Sequence, residues 1–133
     1  MRFGGGGAEW RHAASIGRVA ALEAAPLIFD HRTYKCRPGT IKAHLELYEK
    51  MGMAAQMKHL GQPYLYCMTE VGDVNSYVHV WAYADVADRA KRRAAMQADP
   101  EWGAYLKKSG ELGALISKEN KLLVGASFFK PRG

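Results

Sequence analysis

The stretch from Ser76 to Tyr83 reads Ser-Tyr-Val-His-Val-Trp-Ala-Tyr. In a strand, successive side chains point to opposite faces, so Tyr77, His79, Trp81 and Tyr83 share one side while Val78, Val80 and Ala82 share the other. Neither side is polar. Such a strand has to lie inside a sheet that is covered on both faces. That requirement limits what the rest of the chain can build around it.

The neighbouring segments supply the sheet. Residues 64–71 read as a strand that returns through Gly72-Asp73-Val74-Asn75, a link suited to an antiparallel hairpin. Residues 27–36 are rich in β-branched, aromatic and apolar types and stop at Arg37-Pro38-Gly39, which makes them a first strand. Thr40 then stands at an N-cap position, and Ile41, Leu45, Tyr48, Gly52 and Ala55 recur at helical spacing until Gly61 ends the run before Pro63. Asp85 caps a second helix, with Asp88 in its first turn. Asp99-Pro100 breaks and restarts the run, because proline suits a helix's first turn and not its interior. Trp102, Tyr105, Ser109, Leu112 and Ile116 form the inner stripe of the helix that follows, and residues 121–129 make a last strand. The order βαββαβ closes into a ferredoxin-like antiparallel α+β sheet with its helices on one face. Helices then cover only one side of Ser76–Tyr83. A second copy of the chain is the simplest cover for the other, which makes the expected state a homodimer with a barrel-like centre.

Composition fits one globular domain. The chain has 133 residues, 48% apolar and 24% charged, which excludes wholesale disorder, collagen and coiled coil. No uncharged apolar stretch approaches the ~18 residues that span a bilayer. The net charge of +6 raises nucleic acid as a partner, yet Arg89, Lys91, Arg92 and Arg93 are separated by alanines and lack interleaved aromatics. They read as a solvated helix face, and neither nucleic acid nor membrane is expected as a partner. Cys36 and Cys67 lack Cys-x-x-Cys spacing and read as reduced thiols of a cytoplasmic protein. His12, His31, His44, His59 and His79 show no metal-ligand spacing, so no metal is expected. Residues 1–26, with the run Gly4 to Gly7 and an alanine-rich stretch, read as a flexible extension before a domain spanning 27–133.

Three runs carry a specific resemblance: Asp30-His31-Arg32-Thr33-Tyr34-Lys35-Cys36-Arg37-Pro38-Gly39-Thr40, then Gly72-Asp73-Val74-Asn75-Ser76-Tyr77-Val78-His79-Val80-Trp81-Ala82-Tyr83, and Asp99-Pro100-Glu101-Trp102. Together they resemble the NIPSNAP family, in register from about residue 28 to 129. The resemblance implies a dimeric α+β barrel of the kind also used by antibiotic-biosynthesis monooxygenases. It implies no particular reaction, and residues 1–26 lie outside its pattern.

Asp30, Arg32 and Tyr34 share one face of the first strand, as His79, Trp81 and Tyr83 share one face of the third. In this topology the two strands are central neighbours. A cavity between sheet and helices would then gather a cation, an imidazole and several aromatics, a composition suited to a flat anionic or phenolic ligand. The candidate ligand-binding residues are Arg32, Tyr34, Asn75, Trp81 and Tyr83. A cofactor-free oxygenase would add His79 as the catalytic base, with Asn75 or Trp81 donating to a developing oxyanion. No cofactor is expected, since the sequence has neither a Gly-x-Gly-x-x-Gly turn nor a phosphate loop. A plainer reading makes the same residues ordinary core pairs, with Arg32 on Asp30 or Glu70, in a structural or adaptor protein. Alternation alone leaves open which sheet face looks at the helices.

Overall fold

β1 (Ile28–Cys36) and β3 (Ser76–Tyr83) are the central pair of a four-stranded antiparallel sheet, with β2 (Leu65–Met68) beside β3 and β4 (Leu115–Val124) beside β1. Four helices, α1 (Ile41–Leu47), α2 (Met53–Leu60), α3 (Val86–Gln97) and α4 (Pro100–Leu112), join them, and a π-helical turn over Tyr48–Gly52 links α1 to α2 without a break. This computed structural model describes residues 27–131, so the segment 1–26 lies outside the described residues. The architecture is the ferredoxin-like α+β fold expected from the element order.

Local chemistry explains the boundaries. Asp85 accepts the Asp88 N–H at 2.7 Å, and the Asp88 carboxylate accepts the Ala84 N–H at 3.0 Å, a reciprocal cap on α3. Asp99 accepts the Glu101 N–H at 2.9 Å, with Pro100 as the first residue of α4. Thr40 departs from its expected role. Its hydroxyl donates to the Arg37 carbonyl at 2.7 Å and closes the turn before α1, so it makes no side-chain cap. Gly52 is required by a close approach: a Cβ there would meet Cγ of Tyr105 at 2.8 Å.

The last strand departs further from expectation. Gly113 ends α4 in the left-handed conformation at φ 66°, which turns the chain early, so β4 starts at Leu115 rather than at residue 121. Ile116 consequently belongs to β4 and not to the helical stripe. The strand's start is masked by the polar run Lys118-Glu119-Asn120, which sits on a sheet margin where alternation carries no apolar signal. Phe129 lies past the strand, and its ring packs edge-on against Phe29 at 6.0 Å. β2 is likewise shorter than residues 64–71, and Tyr64 packs its ring against Phe29 at 5.3 Å.

Tyr77, Trp81 and Tyr83 face the helices. Trp81 and Tyr83 share a core with Ile28, Tyr48, Leu60, Met96, Trp102 and Tyr105, and Tyr77 packs with Cys36 and Ala114. Val80, Ala82 and Phe29 form a separate cluster on the opposite face, with Val78, Leu27 and Tyr64 packed against it.

Candidate functional site

A cavity of about 500 Å³ lies between the helix-facing side of the sheet and the helices. Strand register builds its floor. Tyr66, His79 and Arg32 align across β2, β3 and β1, and Tyr77, Tyr34 and Lys118 align across β3, β1 and β4. The helices close it with Tyr48 from the π-helical turn, Gln56 from α2, Arg93 and Met96 from α3, and Trp102 and Tyr105 from α4.

Its charge is one-signed. Arg32, Arg93 and Lys118 line it, and among the described residues no Asp or Glu does. The nearest acid, Asp30, is fully buried and occupied: Oδ2 accepts from Arg32 and from Arg89, each at 3.0 Å, and Oδ1 accepts from the Asn120 amide at 3.1 Å. Burial pushes the Asp30 carboxyl up, but Asn120, Arg32 and Arg89 together outweigh it and hold the group below the usual carboxylate range. Burial likewise pulls the Arg32 pKa down, and Tyr34 and Asp30 more than restore it. Arg32 Nε also donates to the Tyr34 hydroxyl at 3.0 Å. The Tyr34 ring thereby sits near two cations, 5.6 Å from the Arg32 guanidinium carbon and 5.8 Å from Lys118 Nζ.

His79 is 2% exposed. Its Nδ1 accepts the Trp81 indole N–H at 2.7 Å, while its ring stacks on Tyr66 and meets Tyr34 edge-on, both at 4.8 Å between centroids. Burial, reinforced by Arg32, drives its pKa down to about 3, so the imidazole is neutral at physiological pH. Burial also raises the hydroxyl pKa values of Tyr48, Tyr66 and Tyr77, which therefore remain protonated. The Tyr77 hydroxyl lies 2.7 Å from Nε2 of the buried His44.

Of the residues expected from sequence, the structure brings Arg32, Tyr34 and His79 together on the cavity wall. Trp81 is fully buried behind the lining, where it bonds His79 and packs edge-on against Tyr66, and Tyr83 lies in the core outside the lining. Asn75 belongs to the β2–β3 turn, where its carbonyl accepts the Cys36 N–H at 2.8 Å and its own N–H donates to Asp73. The basic residues of α3 correct the expected solvated face. Arg89 binds Asp30, Arg92 binds Asp88 at 3.0 Å, and Arg93 lines the cavity, leaving Lys91 exposed. Tyr66 and Tyr77 are legible from alternation alone; Lys118 is not, because its stretch does not read as a strand. Among the described residues, no three His, Cys, Asp or Glu side chains converge to hold a metal ion, and no helix is long and apolar enough to cross a membrane.

The family model named NIPSNAP matches residues 29–130, which spans the sheet, the helices and the cavity. The chain belongs to the NIPSNAP family. A NIPSNAP family protein of unknown function from Agrobacterium tumefaciens is 37% identical, with a TM-score of 0.72 over 79% of this chain and 93% of the other. An uncharacterized NIPSNAP-like domain protein from Burkholderia xenovorans is 36% identical, with a TM-score of 0.73 over 80% of this chain and 91% of the other. A candidate antibiotic biosynthesis monooxygenase from Nitrosomonas europaea shares the fold alone, at 8% identity and a TM-score of 0.57 over 78% of this chain and 94% of the other. No curated protein matches the chain.

Proposed function

We propose that this NIPSNAP chain is a homodimeric binding protein whose cavity holds a small aromatic anion. The observation that carries the reading is the lining itself: among the described residues, three cations, no carboxylate and a set of protonated tyrosine rings around about 500 Å³. Such a site attracts negative charge and offers flat apolar surface for a ring. Free thiols at Cys36 and Cys67 support the cytoplasmic location proposed with it.

The dimer rests on the opposite sheet face. Register sets Ala82, Phe29 and Leu123 in one row and Leu65, Val80, His31 and Lys121 in the next. Leu65, Leu123 and Phe129 are 41%, 40% and 44% exposed on the single chain, and Nδ1 of His31 is buried with no hydrogen-bond partner among the described residues. A second copy laid across this face would cover the apolar rows and offer His31 a polar neighbour.

A cofactor-free oxygenase would use the same cavity but needs a base to ionise its substrate. A histidine whose pKa is held near 3 is a poor one, which favours binding over catalysis. Native mass spectrometry of the wild type, incubated with a mixture of aromatic carboxylates and phenols, should retain one anionic class. Arg32→Met should lose it. Retention of none, or equal retention by both proteins, would overturn the reading and favour a structural or adaptor role.

A further inference from the structure

We propose that Trp81 is a positioning residue that locks His79 into one tautomer, so that His79 meets the cavity's ligand as a hydrogen-bond donor to an oxyanion such as a carboxylate or phenolate. This deepens the binding reading above and rests on it. An indole N–H can only donate, so the 2.7 Å contact from Trp81 Nε1 requires His79 Nδ1 to carry a lone pair. A neutral imidazole then bears its single proton on Nε2. That atom is buried and has no partner among the described residues, on a ring that lines the cavity. A buried N–H left unmet is costly, and an acceptor supplied by a ligand removes the cost.

The surroundings favour the same polarity. The charged groups acting on His79 are Arg32 and Asp30 of β1, Arg93 of α3 and, when protonated, His44 of α1. Asp30, the lone acid among them, already accepts from three donors and has no call on the imidazole. The rings against it, Tyr34, Tyr66 and Tyr77, belong to β1, β2 and β3. An anion entering here finds cations and a donor N–H together, the arrangement that stabilises an oxyanion in a site shielded from water.

Histidine-labelled full-length protein tests the lock without any ligand. Its 15N spectrum should show Nδ1 unprotonated and Nε2 protonated, unchanged from pH 7.5 to 5.5. Protonation at Nδ1, or titration within that range, overturns the proposal. Trp81→Phe should release the lock and give a tautomer mixture or a raised titration midpoint; the wild-type spectrum decides the matter should this variant fail to fold. With 4-hydroxybenzoate as the probe, the His79 Nε2–H resonance should move downfield. His79→Gln, which keeps a donor, should hold affinity within about threefold, while His79→Phe should lose about tenfold, near 1.4 kcal/mol. Equal affinity for all three proteins, or binding that leaves the Nε2–H resonance in place, overturns the donor role. Failure of the probe to bind, with the tautomer as stated, overturns the binding reading and supports the lock by itself.

Discussion

β3 and β4 are both hydrogen-bonded to β1, on opposite sides of it, and they end in opposite environments. Seven of the eight residues of β3 are buried, whereas no residue of β4 is, and nine of its ten are exposed. Both strands carry apolar side chains. β3 finds cover within its own chain, from the helices over Trp81 and Tyr83 and from the cluster of Phe29, Tyr64 and Val78 over Val80. β4 leaves Ile116, Leu122, Leu123 and Val124 between 40% and 71% exposed. An apolar margin of this kind is a hazard for an isolated domain, and a symmetric partner removes it. The contrast separates the part of the fold that one chain covers by itself from the part that the proposed second copy would cover.

The strongest way to break that contrast is a charge on the face of β3 turned away from the helices. Val80→Lys should give aggregated or unfolded chain and no soluble monomer, because it puts a charge into the row of Leu65, Val80 and His31 that belongs to the proposed subunit contact. Sedimentation of the wild type as a well-folded monomer at micromolar concentration would remove the partner from the account altogether.

Asp30→Asn comes next. Asp30 ties β1 to α3 through Arg89 and to β4 through Asn120, so its charge holds the covered and the uncovered halves together. Neutralising it strands two guanidinium groups beside a buried amide and should cost about 3–5 kcal/mol at neutral pH, read by urea unfolding. A loss under about 1 kcal/mol would mean that water reaches the cluster.

Acidification sharpens the contrast from the β3 side. In the unfolded chain, His79 takes up a proton near pH 6.5, but in the fold only near pH 3, so the folded state resists protonation. The stability this contributes is complete above pH 6.5 and is lost as the pH falls through that window, at about 1.4 kcal/mol per pH unit. Burial and Lys118 depress His44 in the same direction. From pH 6 to 4.5 the wild type should lose about 2 kcal/mol on account of His79, and His79→Gln should flatten the slope. An unchanged slope would show that the imidazole is solvated.

The smallest effect belongs to β4. Leu123→Ala should cost about 1–2 kcal/mol if a partner covers the strand, and no more than about 0.5 kcal/mol if solvent does. Unfolding followed at two protein concentrations separates these outcomes, since only the first depends on concentration.

The same contrast governs what can be read from the sequence. Where a strand is covered on both faces, as in β3, alternation and β-branching register directly, and spacing puts Arg32 and Tyr34 on one face of β1, while the strand register is what brings His79 to the same wall. Caps with carboxylates, Asp85 and Asp99, are equally plain. Lys118 and Arg93 are hidden for a common reason: each is a cation on a segment whose sequence resembles solvated surface, and only the tertiary arrangement turns it inward. Asn75 misleads for the opposite reason. Its amide side chain looks like chemistry, yet its main chain is what the turn uses.

The contact between Gly52 and Tyr105 has a consequence for the shape of the cavity. The Tyr105 ring rests where a methyl group on residue 52 would stand, at 2.8 Å, and the same ring forms part of the cavity wall. The headroom over the sheet is therefore set by one hydrogen atom in the π-helical turn. A side chain at that point, even alanine, would force the ring or the turn to shift and so reshape the cavity wall. Under the proposed binding role, residue 52 would act as a caliper, setting the thickness of ring the cavity admits while every charged group of the floor stays in place.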